Sequence, residues 1–225
     1  MRKSELYFEE IGDDFDRMMS DYDVSRRRAL ISRLIESIST SGTALEVGCG
    51  TGAITPVLLN KGLDITVGDI SLKLAEETAK KFGLKASMCD ATQIQFDNNS
   101  FNLVMSSEVI EHVPSPKKAL GEMARVVAPG GYLIVTSPNK LWYPVLLLSQ
   151  KLNLRGFAGN EQWLWPTEAA ATLKQEGLEV IKITGCHLFP WQIPMAKKIL
   201  PFLDKLGDIL WPFTINWGIL CRKPS

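Results

Sequence analysis

Short apolar runs and longer amphipathic ones alternate along the chain. Residues 43–48, 64–69, 85–89, 101–106 and 131–136 form brief apolar stretches bounded by Gly, Asn, Asp or Ser, which reads as buried strands. Between them, 53–61, 71–82 and 115–127 keep helical spacing. Residues 4–38 also read as helical, and within 26–38 the side chains of Leu30, Leu34, Ile35 and Ile38 share one stripe. A later helix over 167–175 opens at Pro166-Thr167-Glu168 and stops at Gly177. A sixth strand over 178–184 and a last one over 217–222 close the pattern. Strand–helix alternation of this kind predicts an α/β fold, doubly wound, with a mostly parallel sheet and helices on both faces.

Two apolar segments interrupt the alternation. The first, 138–166, carries Leu141, Trp142, Leu146, Leu147, Leu148, Leu152, Leu154, Phe157, Trp163 and Trp165. The second, 185–214, places Met195, Ile199, Phe202 or Leu203, Leu206, and Ile209 or Leu210 at helical spacing, with Lys198, Asp204, Lys205 and Asp208 opposite. Pro201 is expected to break or kink that helix, or to open its second half. Both segments leave the C-terminal ends of parallel strands, the edge at which open α/β sheets bind ligands. They read as core added around the sheet, as a lid over an apolar acceptor, or, for 190–213, as a peripheral membrane contact with Lys197, Lys198 and Lys205 toward headgroups. The division is then one domain over 1–225: a helical cap at 1–40, a cofactor-binding core at 41–137 and the two insertions.

Composition narrows the partners. The 225 residues hold 25 basic and 25 acidic side chains and are 45% hydrophobic. A domain of this size can bury a core without staples. Zero net charge argues against a nucleic-acid partner, which needs clustered Lys and Arg. Arg26-Arg27-Arg28 is the only tight basic cluster and reads as a solvated helix face. The four cysteines contain no Cys-x-x-Cys pair and there are two histidines, so a structural zinc site is not expected. Unpaired cysteines among apolar strands, no apolar leader and no apolar run of bilayer length fit a reduced, cytoplasmic setting.

The chemistry concentrates at Leu45-Glu46-Val47-Gly48-Cys49-Gly50-Thr51-Gly52-Ala53. An apolar strand ends in an acid and a glycine turn opens into a helix. Such a turn lets a ligand approach the backbone, because glycine has no Cβ and tolerates positive φ. Gly48, Gly50 and Ala53 satisfy the dinucleotide pattern, which alone is a weak signal. Glu46 tilts the reading. An acid beside the turn repels a pyrophosphate but favours the ammonium of S-adenosylmethionine (AdoMet), which carries no phosphate. Asp69, about 20 residues past the first glycine, stands where an acid accepts ribose hydroxyls in either cofactor class.

The form Glu46-x-Gly48-x-Gly50-x-Gly52 resembles the first motif of the class I AdoMet-dependent methyltransferases. The series of elements over about residues 40–185 is similar to the small-molecule methyltransferases of ubiquinone and menaquinone biosynthesis. This resemblance implies a Rossmann-like sheet of seven strands with an antiparallel last strand. It implies AdoMet as cofactor, held by Glu46, Gly48, Gly50, Gly52, Asp69, Ile70, Asp90, Ala91 and Ser107, with Asp90 meeting the adenine amino group. It also implies that the N-terminal helix, with Phe15, Tyr22 and Arg26, closes over the cofactor. The activity it implies is methyl transfer by in-line displacement to a small acceptor, and the apolar insertions point to a quinone-, prenyl- or lipid-like one.

Transfer to oxygen calls for a base. His112 after strand four and His187 after strand six are the candidates, since histidine titrates near neutrality. Glu108 and Glu111 could assist. In quinone O-methyltransferases with the Glu-x-x-Glu-His form these side chains can hold a divalent metal, and the matching positions are Glu108, Glu111 and His112. The same form is widespread without metal, so no metal is assigned. Ser106-Ser107-Glu108-Val109 lacks the Asn-Pro-Pro-Tyr motif of nucleic-acid amine methyltransferases. Two other readings stay open: an NAD-dependent oxidoreductase, against which Glu46 and the lack of an evident Tyr-x-x-x-Lys pair weigh, and a non-catalytic AdoMet-binding module. The acceptor atom and the oligomeric state are open as well.

Overall fold

A computed structural model describes residues 20–151 and 162–225. Phe15 and the expected helical residues 4–19 lie outside that range, as do Leu152, Leu154 and Phe157.

The elements run α1 (Asp21–Glu36), β1 (Thr43–Val47), α2 (Pro56–Leu59), β2 (Asp64–Asp69), α3 (Leu72–Phe82), β3 (Lys85–Met88), β4 (Phe101–Ser107), α4 (Pro116–Val126), β5 (Val127–Pro138), α5 (Tyr143–Lys151), α6 (Pro166–Gln175), β6 (Glu179–Cys186), α7 (Ala196–Leu203), α8 (Gly207–Leu210) and β7 (Asn216–Arg222). Seven strands form one sheet in the order β3-β2-β1-β4-β5-β7-β6. The β1, β2, β3, β4 and β5 pairings are parallel, while β7 runs antiparallel between β5 and β6. The expected α/β, doubly wound, Rossmann-like sheet is thus observed.

The two faces follow from the period-two geometry of strands. Ala44, Leu103, Met105, Ile134 and Leu220 point to one side, where α1 and α3 pack through Leu30, Ile31, Leu34, Ala75 and Ala79. Their neighbours Leu45, Val104, Leu133, Val135 and Ile219 point to the other, against Leu120 and Met123 of α4 and Leu173 of α6. Strands buried on both faces are near-continuous apolar runs, which made them legible.

Several boundaries differ from the sequence reading. The helix expected at 53–61 shrinks to Pro56–Leu59, because the glycine turn and its following bends use up residues 48–55. The fifth strand starts at Val127 rather than at 131. Gly130 at φ 75° carries the chain through Pro129-Gly130-Gly131, and the register against β4 shifts there. In the second insertion Pro201 sits inside α7. The α-helix ends at Leu203 and passes through a 3-10 turn, Asp204–Leu206, before α8. The helix thus continues through Pro201 and changes form three residues beyond it.

The arginine cluster is not a solvated face. Arg26 Nε lies 2.8 Å from Asp204 Oδ2, Arg27 bonds Asp23, and Arg28 Nε donates to the carbonyl of Ala53 at 2.6 Å. Each of the three makes a tertiary or local contact, and Arg27 Nε is left buried without a hydrogen-bond partner. Charge clustering in sequence says nothing about partners supplied from 178 positions away.

Candidate cofactor and acceptor site

The sheet order reverses between β1 and β4: from β1 the chain builds outward through β2 and β3, then returns to the other side. Ligands in such sheets bind outside the strand C-termini at this switch point. A cavity of 160 Å³ lies there. Its wall contains Glu46, Gly48 and Gly50 after β1, Asp69 and Ile70 after β2, Asp90 and Ala91 after β3, and Ser107, Glu108 and Val109 after β4. His112, Val113 and Pro114 continue that wall, and Arg27 enters from α1.

The turn is built for close approach. Gly48 and Cys49 donate their amides to the carbonyl of Gly68 at 2.7 and 3.0 Å, which clamps the end of β1 onto β2. Gly50 adopts φ 51°, and a Cβ on it would meet nothing, so its open side faces free space rather than protein. Gly52 does not line the cavity. A Cβ there would strike Phe82 and Thr78, so its role in this structure is to seat the turn on α3.

Glu46 is 2% exposed. Its Oε2 is buried with no hydrogen-bond partner, and burial pushes its pKa up to about 8. A buried carboxylate oxygen left without a donor carries the full desolvation cost, so a cationic ligand group in the cavity would relieve it. Asp69 is also buried, which raises its pKa, while backbone amides act in the opposite direction. Its Oδ2 accepts from Gly50 N at 2.9 Å and its Oδ1 from Ser71 N at 3.0 Å. The amide of Ile70 adds a third bond to this carboxylate, which leaves about one of its roughly four acceptor sites for a ligand hydroxyl. Asp90 Oδ1 accepts from the amide and the hydroxyl of Thr92, both at 2.8 Å, which fixes the turn after β3.

Beyond Ser107 the backbone turns sharply. Glu108 has φ 56°, a left-handed conformation uncommon for a residue with a Cβ. This sends its carboxylate toward β5 and β7, where Thr136 Oγ1 donates to Oε1 at 2.9 Å and Asn216 Nδ2 to Oε2 at 2.7 Å. Burial raises the Glu108 pKa to about 7, with Arg27 pulling the other way. Glu111 turns elsewhere: its Oε2 accepts from Ser137 Oγ at 3.0 Å. Glu111 Oε1 stands 3.9 Å from His112 Nε2, but Glu108 is held toward β5 and β7, and among the described residues no three acidic, His or Cys side chains form a metal-binding group. The metal-holding arrangement of the Glu-x-x-Glu-His form does not fit here.

The two histidines separate. His112 lines the cavity. His187 does not reach it, because β6 lies three strands beyond β4 in the sheet order. His187 is buried at φ 60°; its amide donates to Asp204 Oδ1 at 2.8 Å, and its Nδ1 stands 3.4 Å from Asn216 Oδ1 and 3.5 Å from Asp23 Oδ1. Burial lowers its pKa. Arg27, in contrast, was missed as a cavity residue. The one available signal was Asp23 four positions before it on a helix, a spacing that orients an arginine.

The residues from the glycine turn to the end of β5 match a known domain. The profile described as a methyltransferase domain fits residues 45–135. The chain carries this methyltransferase domain, and its fold is that of AdoMet-dependent methyltransferases. It is 28% identical over 157 residues to the ubiquinone biosynthesis O-methyltransferase of Coxiella burnetii, covering 65% of this chain and 67% of that one. Among solved structures, the N-methyltransferase NodS of Bradyrhizobium japonicum, in complex with S-adenosyl-L-homocysteine, superposes with a TM-score of 0.68 at 16% identity over all of both chains. An S-adenosylmethionine-dependent methyltransferase from Clostridium acetobutylicum gives 0.66 at 17% identity, covering 99% of this chain and 100% of that one. The match to a methyltransferase domain sets the oxidoreductase reading aside. The antiparallel β7 expected from the resemblance is present.

A second cleft of 470 Å³ adjoins the first and shares Pro114 with it. It runs between the start of α4 and the first insertion, past Lys117, Lys140, Tyr143, Trp163 and Leu164.

Proposed function

We propose that this methyltransferase transfers its methyl group to a hydroxyl of a small, apolar, quinol-like acceptor. One observation carries the reading: past Ser107 the residues Glu108 and His112 line the cavity together with Val109, Val113 and Pro114. An acid–base pair ringed by apolar side chains suits a hydroxyl on a hydrophobic molecule. The similarity to ubiquinone biosynthesis O-methyltransferases supports the same class of acceptor. The cleft that shares Pro114 offers room for the rest of such a molecule, with the Tyr143 and Trp163 rings packed edge to face, their centroids 5.6 Å apart.

In this reading Glu46 receives the ammonium of the methionyl tail, Asp69 the ribose hydroxyls, and Asp90 with Ala91 the adenine edge. Ile70 and Ser107 flank the nucleoside and the reacting end, and the open side of Gly50 admits the tail. Bound AdoMet supplies a sulfonium-activated methyl carbon open to in-line attack. The protein's part is to align the acceptor oxygen behind that carbon and to exclude water, and alignment of this kind contributes about 7–11 kcal/mol in favourable cases. Glu108 is the group that takes the hydroxyl proton, since a base that titrates near neutrality is best matched to that task. His112 is the alternative base.

The test is incubation with methyl-labelled AdoMet and separate pools of quinols, prenylated phenols and lipid extracts. Label in an ether of a quinol or phenol is the expected result. Tight AdoMet binding without label in any product would favour a binding module over an enzyme. Label confined to amines would overturn the acceptor class.

A further inference from the structure

The second insertion presents its amphipathic pattern inside out. Along α7, the 3-10 turn and α8, the residues packed against the body are Ala196, Leu200, Asp204 and Gly207, a stripe of mostly small or polar groups. The bulky apolar residues Met195, Ile199, Phe202, Leu206, Ile209 and Phe213 recur at steps of four and three, and all are exposed; Phe202 is 67% and Ile209 74% accessible. A segment folded only to complete the core would turn this stripe inward.

The segment is held in that orientation. Asp204 accepts from Arg26 Nε and from the amide of His187, both at 2.8 Å, and Arg33 donates to its carbonyl at 2.5 Å. Gly207 lies so close to the carbonyl of Gly185 that a Cβ would collide with it. Rolling the apolar stripe inward would break these buried polar contacts and separate this close backbone packing.

The charges sort the same way. Asp204 is buried, and Asp208 is drawn to Lys182 at 2.7 Å. Lys197, Lys198 and Lys205 are exposed, with Lys197 lying over the Trp191 ring at 5.1 Å. The outward face is therefore apolar with a cationic border. The first insertion joins it: Trp142 Nε1 donates to the carbonyl of Phe213 at 2.9 Å, and Leu141, Val145, Leu147 and Leu148 are exposed in turn. Both insertions leave the sheet edge that holds the cofactor cavity.

We propose that this face docks on a lipid surface bearing anionic headgroups, with the apolar stripe in the acyl boundary and the lysines among the phosphates. Apolar side chains bordered by lysine and tryptophan are the signature of an interfacial segment. A partner helix fits less well. Knobs-into-holes packing needs an unbroken helix, whereas this one is interrupted after Pro201 by the 3-10 turn. A bilayer demands no register. None of the described helices is long and apolar enough to cross a membrane, so the contact lies on the surface. The proposal goes beyond the acceptor reading and does not depend on it.

The experiment is flotation of the full chain with phosphatidylcholine vesicles, with and without phosphatidylglycerol, in low and high salt. The wild type is expected to float with the anionic vesicles, less so with neutral ones or in high salt. Phe202→Glu/Ile209→Glu is expected to lower the bound fraction at least tenfold, and Lys198→Glu/Lys205→Glu to remove the preference for anionic lipid. Far-UV circular dichroism and AdoMet affinity, measured on each variant, should match wild type. A wild type that stays at the bottom with every vesicle would overturn the proposal. So would unchanged flotation of Phe202→Glu/Ile209→Glu, or light scattering showing a wild-type dimer that this variant converts to monomer. Failure of methyl transfer alone leaves the flotation result standing, so the two readings fail separately.

Discussion

Arg26 and Asp204 meet at 2.8 Å across 178 positions of sequence, and their contact ties the first described helix to the second insertion. The carboxylate is 2% exposed, and its other oxygen accepts the amide of His187. Removing one partner of such a group leaves the rest buried and unsatisfied. Asp204→Ala should therefore destabilise the protein by about 3–5 kcal/mol, the usual cost of breaking a buried pair. Denaturant unfolding followed by tryptophan fluorescence measures this, and a loss below about 1 kcal/mol would show the pair to be dispensable.

Glu46 makes cofactor affinity depend on pH. With its pKa raised to about 8 by burial, the side chain is largely protonated at neutral pH in the ligand-free protein. An ammonium pairs with the ionised form, so binding has to release a proton. Affinity should then weaken about tenfold per unit as pH falls from about 7.5 to 6. Calorimetry in that window would show the slope for wild type, and Glu46→Gln should bind more weakly with no slope. A flat wild-type profile would mean that the carboxylate does not meet the tail.

The same group predicts a stability effect of definite sign. Its folded pKa lies above the ordinary value of 4.5, so its contribution to the ligand-free protein is complete below that value and fades as pH rises through about 8. Glu46→Gln carries no charge. Its melting temperature relative to wild type should climb between those two pH values, as scanning calorimetry would register.

Asp69 holds the amide of Gly50 with one oxygen and that of Ser71 with the other. Asp69→Ala should lose both the shape of the turn and the proposed ribose contacts. Two hydrogen bonds to a charged group at about 1.5–3 kcal/mol each give a fall in AdoMet affinity of at least a hundredfold. Equilibrium dialysis would measure it. An unchanged affinity would remove Asp69 from the site.

Glu108→Gln separates binding from chemistry. The amide keeps most of the volume and one acceptor beside Thr136 and Asn216 but cannot take a proton. The rate constant should fall about a hundredfold or more with AdoMet affinity nearly unchanged. In wild type the rate should rise with pH through about 7, the value to which burial brings this carboxyl group, and that rise should vanish in the variant. Persistence of the rise would transfer the role to His112.

The strands along the chain, the glycine turn and the acids at the ends of β1, β2 and β3 were legible in the chain itself. Each depends on local rules: apolar runs of strand length, glycine where φ is positive, and a strand C-terminus as the place where a side chain meets a ligand. The positions of Arg27, Glu108 and His187 were not legible. Arg27 reads as one of three adjacent cations until Asp23 and the cavity are seen around it. His187 follows a strand as His112 does, but the insertion of β7 between β5 and β6 carries it away from the cavity. The apolar spacing of the second insertion was visible in sequence, yet its direction was not. Periodicity says that one face of a helix differs from the other. Which face turns inward is settled by partners distant in the chain, here Arg26 on Asp204 and Gly185 under Gly207, and only the folded structure brings those together.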